Sequence, residues 1–162
     1  MAVMWCRLLQ VWEHRIGMPM ARGAILGLTR GVNRYHIIRA TLDSLCYQTN
    51  DVLEAMKMDL GQEVKRLKAD GGASANNYLL QTQADLTGVQ VDRPACVETT
   101  AMGAAYLAGL AVGFWKNKEE IARGWKADRS FFPKIEEEVR CRMLKGWQKA
   151  VRCSYGWAKD GI

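Results

Sequence analysis

The most constraining feature of this sequence is a pair of glycines, Gly71 and Gly72, between a predicted strand and a predicted helix. The pattern of residues 64–69 predicts a short strand, and residues 74–86 carry apolar side chains at helical spacing. A strand that passes through a glycine turn into a helix is typical of α/β proteins. The junction therefore predicts an α/β fold.

The same turn is a candidate binding site. Because glycine has no Cβ, another molecule can lie against the backbone of Gly71 and Gly72, and free N–H groups at a helix start favour an anionic or polar ligand. Asn76 lies one turn into the predicted helix, and its amide offers a donor and an acceptor to a sugar hydroxyl or a purine edge. Many such junctions are only tight turns, so the pattern alone leaves both interpretations open.

Strands and helices alternate along the chain from residue 21 onward. Further strands are predicted at residues 24–29 and 89–91. The predicted helices run from the N-cap Asn33 to near Gly61, over residues 101–112 with Thr99 or Thr100 as N-cap, over residues 118–123, and from about Glu136 as a long amphipathic helix. The alternation again predicts the α/β class.

Composition and charge exclude several classes of protein. The chain has 162 residues, 49% hydrophobic and 25% charged, which is typical of one globular domain. Its longest apolar run, residues 101–115, is too short to cross a bilayer, so no membrane partner is predicted. The formal charge of +6 arises in part on the polar side of the last helix, and no recognised nucleic-acid module accompanies it. We therefore predict no nucleic-acid partner.

The residues of catalytic and metal sites are scarce. His14 and His36 are the only histidines, which leaves almost no material for a histidine-based triad or metal cluster. Three acids at residues 136–138 are explained by the dipole at a helix start. The five cysteines are widely spaced and form no CxxC pair, so we expect reduced thiols and a cytoplasmic protein. No catalytic residue and no metal site is predicted within this chain.

Four sequence blocks, in order along the chain, resemble the C-terminal part of the glycerol kinases of the FGGY carbohydrate kinase family. They are ARGAILGLTRGVN, IIRATLDSLCYQTNDVLEAM, ADGGASANNYLLQTQADLTGVQVDRP and TTAMGAAYLAGLAVGFW. The resemblance implies the C-terminal domain of an actin-like, ribonuclease-H-like ATPase fold, present incompletely over residues 21–159. It also implies ATP-dependent phosphorylation of glycerol to glycerol 3-phosphate, with Mg²⁺ as the metal.

Carried over residue by residue, the nucleotide contacts of the family fall on Gly72 and Asn76, with Gly71 supporting the turn. Residues 99–105 are expected beneath the nucleotide cleft. The catalytic aspartate, the glycerol contacts and most of the Mg²⁺ site of the family lie upstream of the resemblance. The isolated chain is therefore expected to have no kinase activity. ATP or ADP is the expected partner of this segment, glycerol is a substrate of the full-length enzyme only, and a homo-oligomer is possible. The alternative is a non-enzymatic nucleotide-binding or interaction module derived from a sugar kinase.

The first twenty residues resemble no part of the family until their codons are read one base out of register. Over residues 3–20, where the shifted frame matches the family, four dipeptides have no codon freedom: Met4-Trp5 and Trp5-Cys6 each give Val, Trp12-Glu13 gives Gly, and Met18-Pro19 gives Ala. Synonymous choices complete YVVPAFTGLGAPYWDAYA, the family's sequence before this point. We expect residues 1–20 to be an out-of-frame segment outside the fold, from a frameshift or a sequencing error, with order from Ala21. The alternative is an authentic amphipathic N-terminal helix.

Overall fold

The computed structural model describes residues 4–6, 22–96 and 98–155. Contacts divide the chain into two compact units, a first unit of residues 1–62 with 134–162 and a second unit of residues 63–133. In chain order the elements are β1 (Met4–Cys6), β2 (Ala24–Leu26), α1 (Arg34–Leu60), β3 (Arg66–Lys68), a 3₁₀ turn (Gly72–Ala75), α2 (Asn77–Thr87), β4 (Gln90–Pro94), α3 (Thr99–Ala111), α4 (Lys118–Gly124), β5 (Ala127–Phe131) and α5 (Glu137–Cys153).

In the first unit, α1 has strong signals at both ends. Asn33 Oδ1 accepts the N–H groups of Tyr35 and His36, and the Asn33 N–H donates to His36 Nδ1, which forms a reciprocal cap. At the other end Gly61 adopts a left-handed φ of 62°, and its N–H donates to the Lys57 carbonyl at 2.9 Å. Both predicted boundaries of this helix are confirmed.

Aromatic stacking joins α1 to α5. The rings of Tyr47 and Trp147 lie 5.1 Å apart and nearly parallel, and Trp147 Nε1 donates to Asp51 Oδ2 at 2.6 Å. Burial raises the pKa of Asp51 to about 6, with Glu54 acting in the same direction and the Trp147 hydrogen bond opposing it. Trp147 and Ala150 are the buried residues of α5.

The strand β1 differs from the expectation that order begins at Ala21. Met4–Cys6 pairs antiparallel with Ala24–Leu26, and Trp5 lies opposite Ile25. Strand pairing uses backbone N–H and C=O groups, so three residues of almost any type can form it. The other residues of 1–20 and residues 156–159 lie outside the described residues, and the boundary at residue 20 stays a prediction.

The second unit is built on a sheet in the order β3-β4-β5. β3 and β4 are parallel, joined by the crossover through α2, and β5 runs antiparallel to β4 with a register shift between Arg93 and Pro94. The core on one face of this sheet consists of Leu80, Ala84, Val91 and Phe131, packed with Leu67 and Ala69. The predicted strands at residues 64–69 and 89–91 are thus present with shifted ends, whereas β5 was not predicted.

Helix α3 buries little of its surface. The less exposed positions recur at helical spacing, and only Gly109 is fully buried, because the Trp115 side chain lies over its Cα. The Trp115 ring also contacts Tyr106 and Phe114 edge-on, at centroid distances of 5.2 and 4.7 Å. The other face of α3 is exposed, and Leu107 on it is 70% exposed.

Candidate functional site

Gly71 and Gly72, in the turn after β3, differ in why a glycine stands at each position. Gly71 has φ +78°, a left-handed conformation that side chains with a Cβ rarely adopt. Gly72 has no such φ, and a Cβ built on it meets nothing within 4 Å among the described residues. Gly71 is therefore required by the backbone, whereas Gly72 leaves open space beside the chain that no packing requirement explains.

The helix after the glycines begins later than the sequence predicts. Residues Gly72–Ala75 form a 3₁₀ turn in which the Ser74 hydroxyl and the Ser74 N–H both bind the Gly71 carbonyl, at 2.7 and 3.0 Å. Asn76 is the N-cap of α2, not a residue one turn inside it, because its Oδ1 accepts the N–H groups of Tyr78 and Leu79 at 3.0 and 3.2 Å.

The capping role changes what Asn76 can offer. Its Oδ1 and two N–H groups of the helix start satisfy one another, so those groups are not available to an anion as the sequence suggested. The side chain is exposed, and its Nδ2 keeps donor hydrogens for a ligand acceptor. The geometry therefore favours a neutral hydrogen-bond acceptor at Asn76 over a phosphate.

Arg93 holds the turn in place from the neighbouring strand. Its Nη1 donates to the carbonyls of Ser74 and Ala75 at 3.2 and 3.4 Å and to Asn77 Oδ1 at 3.0 Å. The other side of the guanidinium pairs with Asp128 Oδ2 at 2.6 Å on β5. The Arg93 side chain is 15% exposed, so these bonds form largely out of water. Sequence analysis missed this residue, whose one signal is an arginine inside a mostly buried strand.

A carboxylate network ties the three strands together. Asp92 is 1% exposed and accepts from Ser130 Oγ at 2.6 Å and Gln90 Nε2 at 2.7 Å, and it pairs with Arg66 at 3.2 Å. Burial alone would raise the pKa of Asp92. The hydrogen bonds and the cations of Arg66 and Lys68 outweigh that effect, so the pKa of Asp92 lies below its usual value.

The start of α3 is joined to the glycine turn by a hydrogen bond from the Thr99 hydroxyl to the Asp70 carboxylate. Thr99 is the first helical residue and not the N-cap, a position that Glu98 occupies without a side-chain hydrogen bond. The structure therefore brings together Asp70, Gly71, Gly72, Asn76 and Thr99 on one side of the second unit.

The described residues contain no group of three or more His, Cys, Asp or Glu side chains that could hold a metal ion. Among the helices of that same part of the chain, none is long and apolar enough to cross a membrane. The turn offers a ligand the open backbone beside Gly72, the amide of Asn76 and the Asp70 carboxylate, which pairs with Thr99. These groups can bind and position a ligand through hydrogen bonds.

Comparison with known proteins identifies the family. A profile of the FGGY family of carbohydrate kinases, C-terminal domain, matches residues 13–112, more than half of the chain. The chain therefore belongs to the FGGY family of carbohydrate kinases, and the resemblance seen in the sequence is confirmed. The matched range includes eight residues before Ala21.

Within this family the chain is similar to glycerol kinases. It is 61% identical over 140 residues to those of Agathobacter rectalis and Caldanaerobacter subterraneus, which covers 86% of this chain. Glycerol kinase from Plasmodium falciparum, solved with ADP, has a TM-score of 0.74 and 30% identity over 83% of this chain and 27% of that one. Xylulose kinase from Rhodospirillum rubrum shares the fold, with a TM-score of 0.67 and 22% identity over 82% of this chain and 27% of its own.

The likeness to these kinases confirms the predicted fold class. The chain spans about 28% of the length of the curated relatives it matches. The matched part is a C-terminal domain, so most of each related kinase lies upstream of the segment described in this chain.

Proposed function

We propose that this chain is the C-terminal portion of an ATP-dependent glycerol kinase and supplies part of the wall that binds the adenosine end of the nucleotide. The observation that carries the proposal is the open space at Gly72, beside a turn that Arg93 fixes in one conformation. A preorganised turn binds a ligand without the entropic cost of ordering itself. The likeness to a glycerol kinase solved with ADP supports a nucleotide as that ligand.

Each of the three predicted site residues takes a separate role in this proposal. Gly71 sets the left-handed backbone of the turn. Gly72 lets the adenosine lie against the main chain, where a larger side chain would occupy the same space. Asn76 donates from Nδ2 to an acceptor on the base or the ribose, because its Oδ1 is occupied by the helix cap.

Phosphoryl transfer needs groups that the described residues do not bring together. Transfer from ATP to an alcohol relies on Mg²⁺ to neutralise charge and on a base that accepts the hydroxyl proton. The resemblance to the glycerol kinases implies that the catalytic aspartate, the glycerol contacts and most of the Mg²⁺ site lie upstream of this segment. We therefore infer that the Mg²⁺ and glycerol sites belong to the upstream portion of the kinase, and that the isolated chain does not phosphorylate glycerol.

The site is tested in a chimaera in which residues 21–162 replace the matching segment of Agathobacter rectalis glycerol kinase. Gly72→Val should raise the KM for ATP by about tenfold or more, while kcat changes less, because the lost contact is made in the ground state and the transition state alike. Gly124→Val is the matched control, since a Cβ on Gly124 also meets nothing within 4 Å. Equal KM values for the two variants would contradict a nucleotide at Gly72.

Asn76→Ser tests the second contact. Serine keeps an N-cap oxygen of similar strength, so α2 should stay intact while the amide donor is lost. We expect a higher KM for ATP and an unchanged thermal midpoint of unfolding. A raised KM together with a lower midpoint would instead assign Asn76 to capping alone.

A non-enzymatic nucleotide-binding or interaction module derived from a sugar kinase is the second candidate, because the open backbone at Gly72 and the amide of Asn76 are groups that bind a ligand. The two functions separate in the assay of the chimaera, because a module that has diverged from catalysis would not support turnover. For residues 1–20, we propose the out-of-register origin, which is supported by the dipeptides that have no codon freedom and still match the family's sequence in the shifted frame. The DNA sequence before and through this segment tests it, since the family's coding sequence should continue upstream in the shifted frame.

A further inference from the structure

Helix α5 carries charge of one sign beyond its first turn. Residues 139–155 include five cations and no aspartate or glutamate. Exposed helix faces ordinarily mix charges of both signs, because opposite charges three or four residues apart stabilise a helix. Helix α1 follows that rule, with Arg39 paired to Asp43 and Lys57 paired to Glu54. The one-sided charge of α5 therefore needs a separate explanation.

Four of these cations form one stripe along α5, because residues three and four positions apart lie on the same side of a helix. The exposed members of the stripe are Arg142, Lys145, Lys149 and Arg152. None of the four makes an ion pair with a carboxylate of residues 4–6, 22–96 or 98–155, whereas Arg140 pairs with Glu137 at 2.8 Å. The helix dipole accounts only for Arg152, the cation of the last turn. Neither ion pairing nor the dipole thus explains the stripe.

A cavity of about 420 Å³ lies beside the C-terminal part of this stripe. The described residues that line it are Lys145, Gln148, Lys149, Arg152 and Cys153. The three cations among them span about 10 Å along the helix axis, which long, flexible side chains can bridge to reach one ligand. Small-molecule sites have volumes of about 300–1,000 Å³. The cavity is therefore cationic and large enough for a small organic anion.

Phosphate is the anion that these groups fit best. A phosphate monoester carries a charge of about −1.5 to −2 at neutral pH, so it pairs with more than one cation, whereas a carboxylate carries a single charge. The planar guanidinium of Arg152 matches two phosphate oxygens, and Lys145 and Lys149 add point charges. The Gln148 amide supplies a neutral donor. These donors surround one space and have no carboxylate among them.

We propose that the cavity beside α5 binds a phosphate monoester group, carried by a small organic phosphate or by a lipid headgroup. Arg152, Lys149 and Lys145 pair with the phosphate oxygens. Arg142 belongs to the same stripe but does not line the cavity, so it makes no contact with the ligand. The site goes beyond the proposed function and does not depend on it, because no residue of the glycine turn takes part.

The test is a titration of the ¹⁵N-labelled 162-residue chain with inorganic phosphate at constant ionic strength. The amide resonances of residues 145–153 should shift and saturate. Arg152→Gln should weaken the apparent affinity by about fivefold, the effect of one exposed ion pair. Shifts that do not saturate would overturn the site.

Arg142→Gln is the matched control, since it removes the same charge from the same stripe. Arg142 lies about 10 Å along the helix axis from Lys149, beyond the screening length of about 8 Å at physiological ionic strength. We therefore expect Arg142→Gln to change the phosphate affinity by less than about twofold. Equal weakening by Arg142→Gln and Arg152→Gln would show a response to net charge alone and would overturn the site.

The thiol of Cys153 gives a second measurement that needs no substitution. Cys153 lines the cavity, and Cys141 is an exposed cysteine of the same helix that does not line it. Phosphate should slow the alkylation of Cys153 by iodoacetamide and leave the rate at Cys141 unchanged, as followed by peptide mass spectrometry. The same rate at Cys153 with and without saturating phosphate would contradict a ligand in the cavity.

Vesicles distinguish the two sources of the phosphate group. Phosphatidic acid presents a phosphate monoester, and phosphatidylserine at equal surface charge presents only a phosphodiester and a carboxylate. Stronger co-sedimentation with phosphatidylcholine vesicles that contain phosphatidic acid, lost in Arg152→Gln, would assign a lipid headgroup. Saturable phosphate binding without co-sedimentation would assign a soluble organic phosphate. Equal co-sedimentation with both acidic lipids, weakened equally by Arg142→Gln and Arg152→Gln, would replace the site by a general attraction to anionic surfaces.

Discussion

Replacing Arg93 by methionine should loosen the glycine turn, because the Arg93 guanidinium bonds to the turn from β4. The guanidinium makes two good bonds within the second unit besides the ion pair, to the Ser74 carbonyl at 3.2 Å and to Asn77 Oδ1 at 3.0 Å, and a longer one to Ala75 at 3.4 Å. Hydrogen bonds to a charged group contribute about 1.5–3 kcal/mol each when formed out of water. Since Asp128 is half exposed, the ion pair adds only about 0–1 kcal/mol.

These contributions are not additive, because the same side chain makes all of them. We therefore expect Arg93→Met to lower the free energy of unfolding of the second unit by about 2–4 kcal/mol. Amide hydrogen exchange followed by mass spectrometry measures this locally on peptides that cover residues 70–94. A loss of that size corresponds to exchange faster by about 30-fold or more, since 1.4 kcal/mol is about tenfold.

Arg129→Met is the matched control for this prediction. Arg129 is exposed on the adjacent strand, and its guanidinium lies 4.9 Å from the Phe131 ring centre, a contact worth about 0.5–1 kcal/mol at the surface. The two substitutions remove the same side chain from neighbouring strands, so their difference reports the bonds to the turn. If exchange in residues 72–80 were equally fast in both variants, the assignment of Arg93 as the clamp of the turn would be refuted.

Three further predictions rest on single residues. Gly71→Ala should lower the free energy of unfolding by about 1–2 kcal/mol because of its φ of +78°, whereas Gly72→Ala should change it by less than about 0.5 kcal/mol; urea titration compares them. The pKa of Asp51 is raised from 3.8 in the unfolded chain to about 6 in the folded one. Protonated Asp51 therefore stabilises the fold fully below pH 3.8, and this stabilisation is lost as the pH rises to about 6. In Asp51→Asn, the free energy of unfolding should fall by about 1–2 kcal/mol less between pH 4 and 6 than in the parent chain, a value that allows for the partial exposure of the carboxyl. The same pH profile in both proteins would contradict a buried carboxyl at Asp51. Burial also raises the pKa of the Cys46 thiol to about 12, so Cys46 should resist alkylation at pH 8 in the native chain. Mass spectrometry should find the label first on the exposed thiols of Cys96, Cys141 and Cys153, and rapid labelling of Cys46 would contradict its burial.

The parts of the fold that the sequence predicts are those set by local signals. The ends of α1 follow from Asn33 and Gly61, two residues whose side chain or missing side chain closes a helix terminus within a few positions. Gly88 ends α2 in the same way, with a φ of 71°. By contrast β5 escapes detection, because only Phe131 of its five residues is fully buried and the strand shows no alternation.

In the candidate site, too, the sequence predicts what local signals set and misses what distant contacts set. Gly71 and Gly72 are visible in sequence because glycine has few other reasons to be paired at a helix start, but the division of labour between them depends on their φ angles and surroundings. The cap at Asn76 displaced the expected start at Ser74, because Ser74 is buried and its hydroxyl binds the Gly71 carbonyl instead. Arg93 acts across 16 to 19 positions of sequence, a contact that no local pattern encodes.

The exposed face of α3 shows a further limit of sequence reasoning. Its small apolar side chains leave room for another element to approach closely, but they do not say which element covers the helix. Which element covers α3 depends on the rest of the protein, and this chain spans about 28% of the length of its relatives. The apolar residues of α3 are therefore interpretable only together with the length of the related kinases.

Glycerol-dependent ADP formation by the chimaera with Agathobacter rectalis glycerol kinase tests the central claim most directly. We predict turnover by the chimaera that requires both ATP and glycerol, and none by the isolated 162-residue chain under the same conditions. A chimaera that is soluble, folded and monodisperse but forms no glycerol 3-phosphate would contradict the claim, as would turnover by the isolated chain.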